Sequence, residues 1–380
     1  MDFGLNQEQE RFRRQVRTVV ETKIAPYSAR WDEEETFPRE AVATLAQEGL
    51  FGMCVPPLFG GLGLDPLAYV TAIEEIARHD GSMAITVASH NSLACGHLLL
   101  SGSEEQKRRL LPRLASGEIL GAWAISEATS GSDAAALKAR AEKVEGGWNL
   151  NGAKTFITQG SVAGVYIILA RTTSQKKQHG ISAFIVESGS PGFQAVKIRK
   201  KMGCRASDTA NLTLRNIFVP EANLLGEVDQ GFVDTLQLLD RGRIGIGAMA
   251  VGLARGCLEE ARAHAKKREQ FGRPIDSFQG VQWMLADMAT EIDAARLLVQ
   301  RAASMQAAGQ PSTRESAMAK LFASETASRA ANKAIQILGG YGYLRSSPVE
   351  RYLRDAKVCE IGEGTSEIQR MVIARELKKE

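Results

Sequence analysis

Residues 138–158 read KARAEKVEGGWNLNGAKTFIT, and the period of the apolar side chains in this stretch is close to two. The pairs Gly146-Gly147 and Asn151-Gly152 are turn signals, so the stretch is predicted to form strands joined by hairpins. Further apolar runs separated by turns, including the polar segment 172–180, follow at residues 165–170, 181–186, 193–198 and 210–219. Because turns rather than helices separate these strands, the sequence predicts a compact antiparallel β-domain and argues against a doubly wound sheet.

Helical periodicity flanks this β-domain on both sides. Before it, Val16 and Val20 lie on one apolar stripe, and residues 103–106, SEEQ, fit a capping box. After it, one helix is predicted over residues 278–305, and the next ends at Gly339-Gly340. Long alanine-rich helices favour a bundle. The predicted fold is therefore α+β, with an N-terminal α-helical domain (1–119), a middle β-domain (120–230) and a C-terminal α-helical bundle (231–380).

Composition and charge exclude several classes of function. The chain has 380 residues, with 47 Lys and Arg against 44 Asp and Glu, and no basic block that would favour nucleic-acid binding. It contains no run of 18 apolar residues, so no membrane span is predicted. Its 5 cysteines are scattered, which argues against a disulfide framework or a zinc site. The first residues do not resemble a leader, so we expect a cytoplasmic protein or one whose targeting segment has been removed.

Two cofactor or metal signals are weak. Residues 245–250, GIGAMA, match the dinucleotide fingerprint G-x-G-x-x-A, but they follow a predicted helix and no βαβ unit surrounds them. Close packing between helices is the favoured interpretation. The 5 histidines have no ligand spacing, so no metal site is expected.

The C-terminal residues 354–370, RDAKVCEIGEGTSEIQR, carry a candidate catalytic group. In one continuous helix the glutamates would form a solvated acidic face, but Gly362 and Gly364 oppose a continuous helix. Ser366 and Gln369 fit a capping box that restarts it, so Glu363 is predicted on a short loop, where its carboxylate can be aimed. A role in the turn alone stays equally open. A helix start would lower the pKa of Glu363 and burial would raise it, and the pattern does not decide between them.

A second candidate is residues 123–133, WAISEATSGSD, which begin as a strand and end in a loop of small hydroxyl and glycine residues. Such a loop can cradle an anion or the edge of a heteroaromatic ring. A plain surface turn fits the composition equally well.

Together these stretches resemble the acyl-CoA dehydrogenase family, flavoproteins of fatty-acid and amino-acid catabolism, over nearly the whole chain. The matching motifs, in register, are residues 125–133, 151–158 (NGAKTFIT), 239–245 (LDRGRIG), 268–272 (REQFG) with Gln279, 336–342 (QILGGYG) and 363–366 (EGTS). The resemblance implies the family's fold, in which a barrel-like antiparallel β-domain lies between a helical domain and a four-helix bundle.

The resemblance also implies FAD, held between the β-domain and the bundle of a homotetramer built as a dimer of dimers. The residues matching those that flank the isoalloxazine ring are Trp123, Ile125, Ser126, Phe156 and Thr158, and those matching contacts near the active site are Thr365 and Glu367. The residues matching diphosphate and adenosine contacts are Arg268, Phe271, Gln279, Gln336, Gly339 and Gly340.

In the family reaction, a saturated acyl thioester loses an α-proton to a base and a β-hydride to the flavin. The base matches Glu363, and the family polarises the thioester carbonyl with that residue's own N–H and a ribityl hydroxyl of FAD. The residues matching the acyl-CoA site are Ser132, Asp240, Arg243, Gly364 and Arg375. Electrons would pass to electron-transferring flavoprotein.

Departures from the family pattern narrow the expected substrate. Relatives that place the base on the earlier helix have it where this chain has Gly242, and no Lys or Arg lies between residues 78 and 107, which argues against dicarboxyl substrates. Gly362 replaces a common tyrosine and could widen the pocket, and Phe156 replaces the usual tryptophan. Ala128 and Thr129 replace the commoner Pro-Gly.

The pattern is nearest the short-chain, butyryl-type branch, so we expect dehydrogenation of a short- to medium-chain acyl-CoA. The alternatives are a branched, alicyclic or longer acyl-CoA as substrate, an acyl-CoA oxidase, and a non-catalytic flavin-bearing binding protein.

Overall fold

The computed structural model describes residues 4–173 and 179–379. The predicted polar loop 172–180 therefore lies partly outside the described residues, as do the first three residues of the segment in which no leader was recognised. Within the described ranges, every helix is too short or too polar to span a lipid bilayer. The same residues contain no group of three or more His, Cys, Asp or Glu side chains that could hold a metal ion.

The N-terminal part is helical, as predicted. Its helices are α1 (Gln7–Val19), α2 (Ser28–Glu34), α3 (Arg39–Gln47), α4 (Pro66–Ala77), α5 (Gly81–Ser89), α6 (Gly96–Ser101) and α7 (Glu104–Ala115). Val16 and Val20 are buried, which confirms the predicted stripe. The capping box before α7 is also confirmed, because Ser103 Oγ accepts the N–H of Gln106 and Gln106 Oε1 accepts the N–H of Ser103. These bonds satisfy N–H groups that a helix start leaves free.

The middle part is a sheet. Its strands are β1 (Gly121–Ala124), β2 (Arg140–Val144), β3 (Gly147–Thr158), β4 (Val165–Arg171), β5 (Ile181–Glu187), β6 (Phe193–Lys197), β7 (Thr209–Pro220) and β8 (Leu224–Leu225). The order is β6-β7-β3-β2-β4-β5-β8, with β1 paired to β4. Most pairs are antiparallel, as predicted, but β1 runs parallel to β4 and β2 makes a single parallel pairing with β4. Strands β2 and β3 lie between β1 and β4 in the sequence, so β4 can pair with β1 while running in the same direction.

The predicted hairpin at Asn151-Gly152 is wrong. Strand β3 runs through this pair and shifts its register against β7 between Leu150 and Gly152. Gly152 has φ +147, and a Cβ there would lie 2.7 Å from the Cα of Ala139. The glycine therefore serves a bulge and a close backbone approach, which produce the same sequence signal as a turn.

The C-terminal part is a helical bundle. Its helices are α8 (Gly231–Lys267), α9 (Gln279–Ala307), α10 (Thr313–Leu338), α11 (Pro348–Ile361) and α12 (Ser366–Leu377), and a small hairpin of β9 (Glu269–Gln270) and β10 (Arg273–Pro274) links α8 to α9. The predicted helix 278–305 corresponds to α9, and α10 ends at Leu338 with Gly339 as its C-cap, as expected. The predicted α+β fold is thus confirmed, while the domain boundaries at 119/120 and 230/231 stay a prediction.

Close packing brings α8 against α4. A Cβ at Gly252 would lie 2.4 Å from the carbonyl oxygen of Glu74, and one at Gly245 would lie 2.5 Å from the hydroxyl oxygen of Tyr69. Small residues in α8 are therefore required where the two helices approach. The packing interpretation of residues 245–250 is confirmed. This packing also sets the rotation of α8 and so the direction in which Gly242 faces.

Candidate active site

Glu363 lies in a left-handed turn between α11 and α12. Its φ is 54° and that of Gly364 is 94°, so two consecutive residues have positive φ. Left-handed backbone is strained for a residue with a side chain, and it persists only where surrounding contacts hold it. The predicted loop position of Glu363 is therefore observed, and the turn sets the direction of its side chain.

The predicted capping box at Ser366 and Gln369 is wrong by one residue. Thr365 is the N-cap of α12, and its Oγ1 accepts the N–H of Ile368 at 3.3 Å. Gln369 Nε2 instead donates to the carbonyl oxygens of Glu363, at 3.2 Å, and Gly364, at 2.9 Å. The amide of Gln369 is thus used to hold the turn rather than to cap the helix.

The carboxylate of Glu363 faces α8 in a buried environment. Its Oε2 is buried and has no hydrogen-bond partner, and a Cβ on Gly242 would lie 1.8 Å from this oxygen. Burial raises the pKa of Glu363 to about 7, while the positive charges of Lys320 and Arg243 oppose the rise. Of the effects left open by the sequence, burial therefore dominates.

Tyr69 and Cys54 share this interior region. The Tyr69 hydroxyl donates to the carbonyl oxygen of Ala88 at 3.3 Å. Burial raises the pKa of Tyr69 well above its usual value, and the neighbouring Glu363 carboxylate and Cys54 add to the rise. Burial likewise raises the pKa of the Cys54 thiol to about 12. Neutral groups therefore surround the carboxylate on the α4 side.

A platform forms where the end of β1 meets β3. Of the predicted flavin-flanking residues, Trp123 lies in β1, Ile125 and Ser126 follow that strand, and Phe156 and Thr158 lie in β3. The N–H of Thr155 donates to the carbonyl oxygen of Ser126 at 2.9 Å, which ties the two segments together. Phe156 has φ 57 and is 70% exposed, so a large aromatic ring is held outward on strained backbone.

A buried ion pair lies beneath the platform. Lys154 Nζ donates to Glu127 Oε1 at 2.8 Å and to the carbonyl oxygen of Ile125 at 3.1 Å. The Glu127 carboxylate also accepts the N–H groups of Lys138 and Ala139. These bonds fix the backbone on which Ile125 and Ser126 lie.

The predicted diphosphate and adenosine residues lie elsewhere in the chain. A hollow of about 470 Å³ is lined by Arg268, Gly339 and Gly340, and none of its lining residues comes from the β-domain. Phe271 is 92% exposed, and the side chains of Gln279 and Gln336 are exposed as well. All of the residues that line the hollow belong to the C-terminal part of the chain.

The predicted acyl-CoA residues are only partly brought together. Arg243 and Asp240 form an ion pair at 2.6 Å, and Thr313 Oγ1 donates to Asp240 at 2.6 Å. Burial lowers the pKa of Arg243, and the nearby Arg375 contributes. Ser132 is exposed in the loop after β1. The carbonyl oxygen of Gly364 accepts a hydrogen bond from Gln369 Nε2 within the turn. Thr365 is half-buried and Glu367 is exposed at the start of α12.

Lys320 is a residue of this region that sequence reasoning missed. Its side chain is fully buried in α10, and its Nζ donates to the carbonyl oxygen of Gly364 at 2.6 Å. It lies on the same helix face as Ala317 and Ala327, so a lysine within an apolar stripe was the available signal.

Several polar atoms around the base turn have no partner. Among the described residues, the buried atoms without a hydrogen bond include Glu363 Oε2, Ser366 Oγ, Gln369 Oε1 and Arg243 Nε. Buried polar groups in folded proteins are nearly always satisfied, so this cluster fits a site completed by a polar ligand. The exposed ring of Phe156 adds a flat apolar surface. Both features fit a flavin and a thioester, the groups that the resemblance implies.

Comparison with known proteins identifies the family. Family models for the N-terminal, middle and C-terminal domains of acyl-CoA dehydrogenase match residues 6–118, 122–217 and 229–378. The short-chain specific acyl-CoA dehydrogenase of Clostridium acetobutylicum is 44% identical over 98% of this chain and 99% of its own.

Solved structures agree over the full length. Butyryl-CoA dehydrogenase from Megasphaera elsdenii has a TM-score of 0.98 and 40% identity, with 100% of both chains covered. A structure from work on the electron transferring flavoprotein of Acidaminococcus fermentans has a TM-score of 0.98 and 41% identity, again with 100% of both chains covered. The chain therefore belongs to the acyl-CoA dehydrogenase family.

Proposed function

We propose that this acyl-CoA dehydrogenase uses FAD to convert a short- to medium-chain saturated acyl-CoA into the trans-2-enoyl-CoA, with Glu363 as the base. The observation that carries the proposal is the Glu363 carboxyl itself. It is held in a left-handed turn, its Oε2 is buried without a partner, and its pKa is raised to about 7. A base with a pKa near the working pH combines a usable ionised fraction with a strong drive to take a proton.

The surroundings of Glu363 suit the abstraction of a weakly acidic proton from carbon. The carboxylate is poorly solvated, so it does not have to shed a tight shell of water before it accepts the proton. Gly242 has no side chain that would displace the carboxylate, and Tyr69 and Cys54 are held neutral nearby. We assign Glu363 the role of taking the α-proton.

We assign the flavin to the platform at the end of β1. When bound, FAD supplies the acceptor for the β-hydride, and the chain's own residues hold and orient it. The exposed Phe156 ring and the backbone of Ile125 and Ser126, braced by Lys154 and Glu127, offer a rigid surface for the ring system. Trp123, Thr158, Thr365 and Glu367 would complete the contacts.

The remaining cofactor residues favour a homotetramer. Arg268, Gly339 and Gly340 lie around a hollow that is separate from the platform in one chain, and Phe271 is almost fully exposed. We infer that these residues, with Gln279 and Gln336, contact the FAD of a second subunit. A guanidinium such as that of Arg268 can meet a phosphate with two parallel hydrogen bonds.

We assign the binding of the acyl-CoA substrate to Ser132, Asp240, Arg243, Gly364 and Arg375. Arg243 supports this role best, because it is buried close to Glu363 and its Nε lacks a partner. The similar proteins include a short-chain specific dehydrogenase and a butyryl-CoA dehydrogenase, which supports a short acyl chain. Ala84 is fully buried in a segment that contains no Lys or Arg, which gives no support for a dicarboxyl substrate.

Electron-transferring flavoprotein is the proposed acceptor, supported by the structure from work on that protein in Acidaminococcus fermentans. A cytoplasmic location is part of the proposal, because all five cysteines are free and suit a reducing compartment.

The test is anaerobic reduction of the FAD-loaded protein by acyl-CoA thioesters of increasing length and branching. We expect short straight chains to bleach the flavin fastest and to yield the 2-enoyl thioester. A protein that no thioester bleaches would contradict the proposal, and faster bleaching by branched or long chains would reassign the substrate. Rapid peroxide release under air would instead indicate an acyl-CoA oxidase.

A further inference from the structure

We propose that Lys320 is a positioning residue for Glu363, which fixes the turn that presents the base and keeps a positive charge beside its carboxylate. This inference rests on the proposed role of Glu363 and adds a residue from a different helix to it. Lys320 lies in α10, whereas Glu363 lies between α11 and α12. The two therefore meet only through the folded bundle.

Burying Lys320 is costly, and its hydrogen bond does not explain that cost by itself. The side chain is fully buried, and its Nζ donates to a carbonyl oxygen, that of Gly364, rather than to a carboxylate. Lys154, the other fully buried lysine described above, is paired with the Glu127 carboxylate at 2.8 Å. An ammonium group without a direct carboxylate partner is expensive to desolvate, so a bundle selected for stability alone would favour an apolar residue there.

The hydrogen bond lies where the backbone needs support. Gly364, whose carbonyl oxygen accepts it, has φ 94 and follows Glu363 with φ 54. Gln369 also holds this turn, but Gln369 belongs to α12 and moves with it. Lys320 connects the turn to α10, which packs against α8, and α8 carries the Gly242 that faces Oε2. Lys320 thus fixes the position of the base relative to the opposite wall of the site.

The charge of Lys320 acts on the same carboxylate. The charged and titratable groups facing Glu363 are Lys320 from α10, Arg243 from α8 and Tyr69 from α4, and Glu360 and Cys359 of α11 lie close to Lys320. Burial raises the pKa of Glu363, and Lys320 is the larger of the two opposing influences. Burial in turn lowers the pKa of Lys320 to about 8. Without the ammonium group, the base would hold its proton to a higher pH.

The experiment compares Lys320→Met with Lys201→Met in the FAD-loaded protein. Lys201 is a matched control, because it is a half-buried lysine whose Nζ also donates to carbonyl oxygens, those of Cys204 and Ser207, and because burial lowers its pKa too. We expect Lys320→Met to shift the acidic limb of the kcat/KM profile upward by about one pH unit and to lower the plateau kcat by about tenfold. We expect Lys201→Met to lose stability while keeping the wild-type profile. An unshifted limb in Lys320→Met would overturn the proposal.

Two further variants separate charge from hydrogen bonding. Gln369→Leu removes a donor from the same turn without removing a charge, so we expect a lower kcat with the acidic limb unmoved. Lys320→Gln keeps an N–H donor and is the variant to use if Lys320→Met does not fold, and it should show the shifted limb. An acidic limb displaced equally in Gln369→Leu and Lys320→Gln would assign the effect to loosening of the turn and contradict the role of the charge.

A readout independent of turnover distinguishes this inference from the proposed function. Infrared difference titration follows the carboxylic acid band that is present in the wild type and missing in Glu363→Gln. If the band titrates at a higher pH in Lys320→Met, the inference stands even where no acyl-CoA is dehydrogenated. If the band is unmoved, the inference fails even where Glu363 is the base.

Discussion

The Glu363 carboxylate rests against Gly242, and a Cβ at that glycine would lie 1.8 Å from Oε2. One residue is in a turn near the C-terminus and the other is on α8, so the turn and the helix form opposite walls of a single narrow space. An oxygen and a carbon cannot approach within 2 Å without a bond, so any side chain at residue 242 must displace the base. The glycine is therefore as much a part of the site as the glutamate.

Gly242→Ala should reduce activity while the protein still folds. Displacing a catalytic group by about 1 Å can cost about 10²-fold in rate, so we expect kcat to fall by about that factor. Gly252→Ala is the matched control in the same helix, because its Cβ would meet the backbone of Glu74 rather than the base. We expect that control to lower the melting temperature while the folded fraction keeps its kcat. Full activity in Gly242→Ala would contradict the observed position of the carboxylate.

The stability of the protein should depend on pH through Glu363. Its pKa in the folded state, about 7, lies above the ordinary value of 4.5. The folded state therefore binds more protons between these values, and this contribution to stability is lost as pH rises toward 7. Glu363→Gln cannot ionise at this position, so its stability does not fall in this way as pH rises. At about pH 8 the cofactor-free variant should therefore unfold at a higher temperature than the cofactor-free wild type does.

Asp355 does not affect this comparison between Glu363→Gln and the wild type. Burial raises the pKa of Asp355 to about 7 as well, so this group contributes the same pH dependence to both proteins and cancels in the difference. At about pH 4.5 the two melting temperatures should be close. A difference that did not grow with pH would mean that Glu363 is not a desolvated carboxyl in the folded protein.

The pH–rate profile should show the ionisation of the base directly. Because Glu363 must be deprotonated to accept a proton, kcat/KM should rise about tenfold per pH unit below the pKa and level off above about 7. Steady-state kinetics with a straight-chain acyl-CoA measure this profile in the free enzyme. A flat profile through this range would exclude a base with a raised pKa.

Phe156→Ala should weaken FAD binding without destabilising the β-domain. The ring is 70% exposed, so its removal leaves the core intact, and an aromatic contact contributes about 0.5–1.5 kcal/mol beyond its buried area. We therefore expect up to about tenfold weaker FAD binding by titration of the cofactor-free protein. Phe218→Ala, another exposed phenylalanine of the sheet at 52%, should leave the affinity unchanged. Equal affinities of Phe156→Ala and Phe218→Ala for FAD would mean that Phe156 does not contact the flavin.

The sequence predicted the elements well because periodicity and caps are local signals. The stripe at Val16, the capping box at Ser103 and the glycine that ends α10 all depend on residues within one or two turns of each other. Asn151-Gly152 was misassigned because a bulge and a hairpin turn use the same glycine conformation. Only the pairing of β3 with β7 distinguishes them, and that pairing joins residues about 60 positions apart.

The sequence predicted the parts of the site that depend on neighbouring residues. It did not predict the parts that join residues far apart in the chain. The glycines beside Glu363 predicted that it lies on a short loop, and the turn confirms that position. Lys320 lies 44 positions from Gly364, and nothing local links the two. The sequence also could not decide whether burial or the helix start controls the pKa of Glu363, because burial depends on how α4, α8 and α10 pack.

The most direct test of the base is anaerobic flavin bleaching by an acyl-CoA thioester in Glu363→Gln, with Glu360→Gln as the matched control. Glu360 is the nearby glutamate that pairs with Lys357 and Ser328. We predict that Glu363→Gln binds FAD and stays yellow with bleaching slowed at least about 10³-fold, while Glu360→Gln bleaches as the wild type does. Near-normal bleaching in FAD-loaded Glu363→Gln would contradict the account.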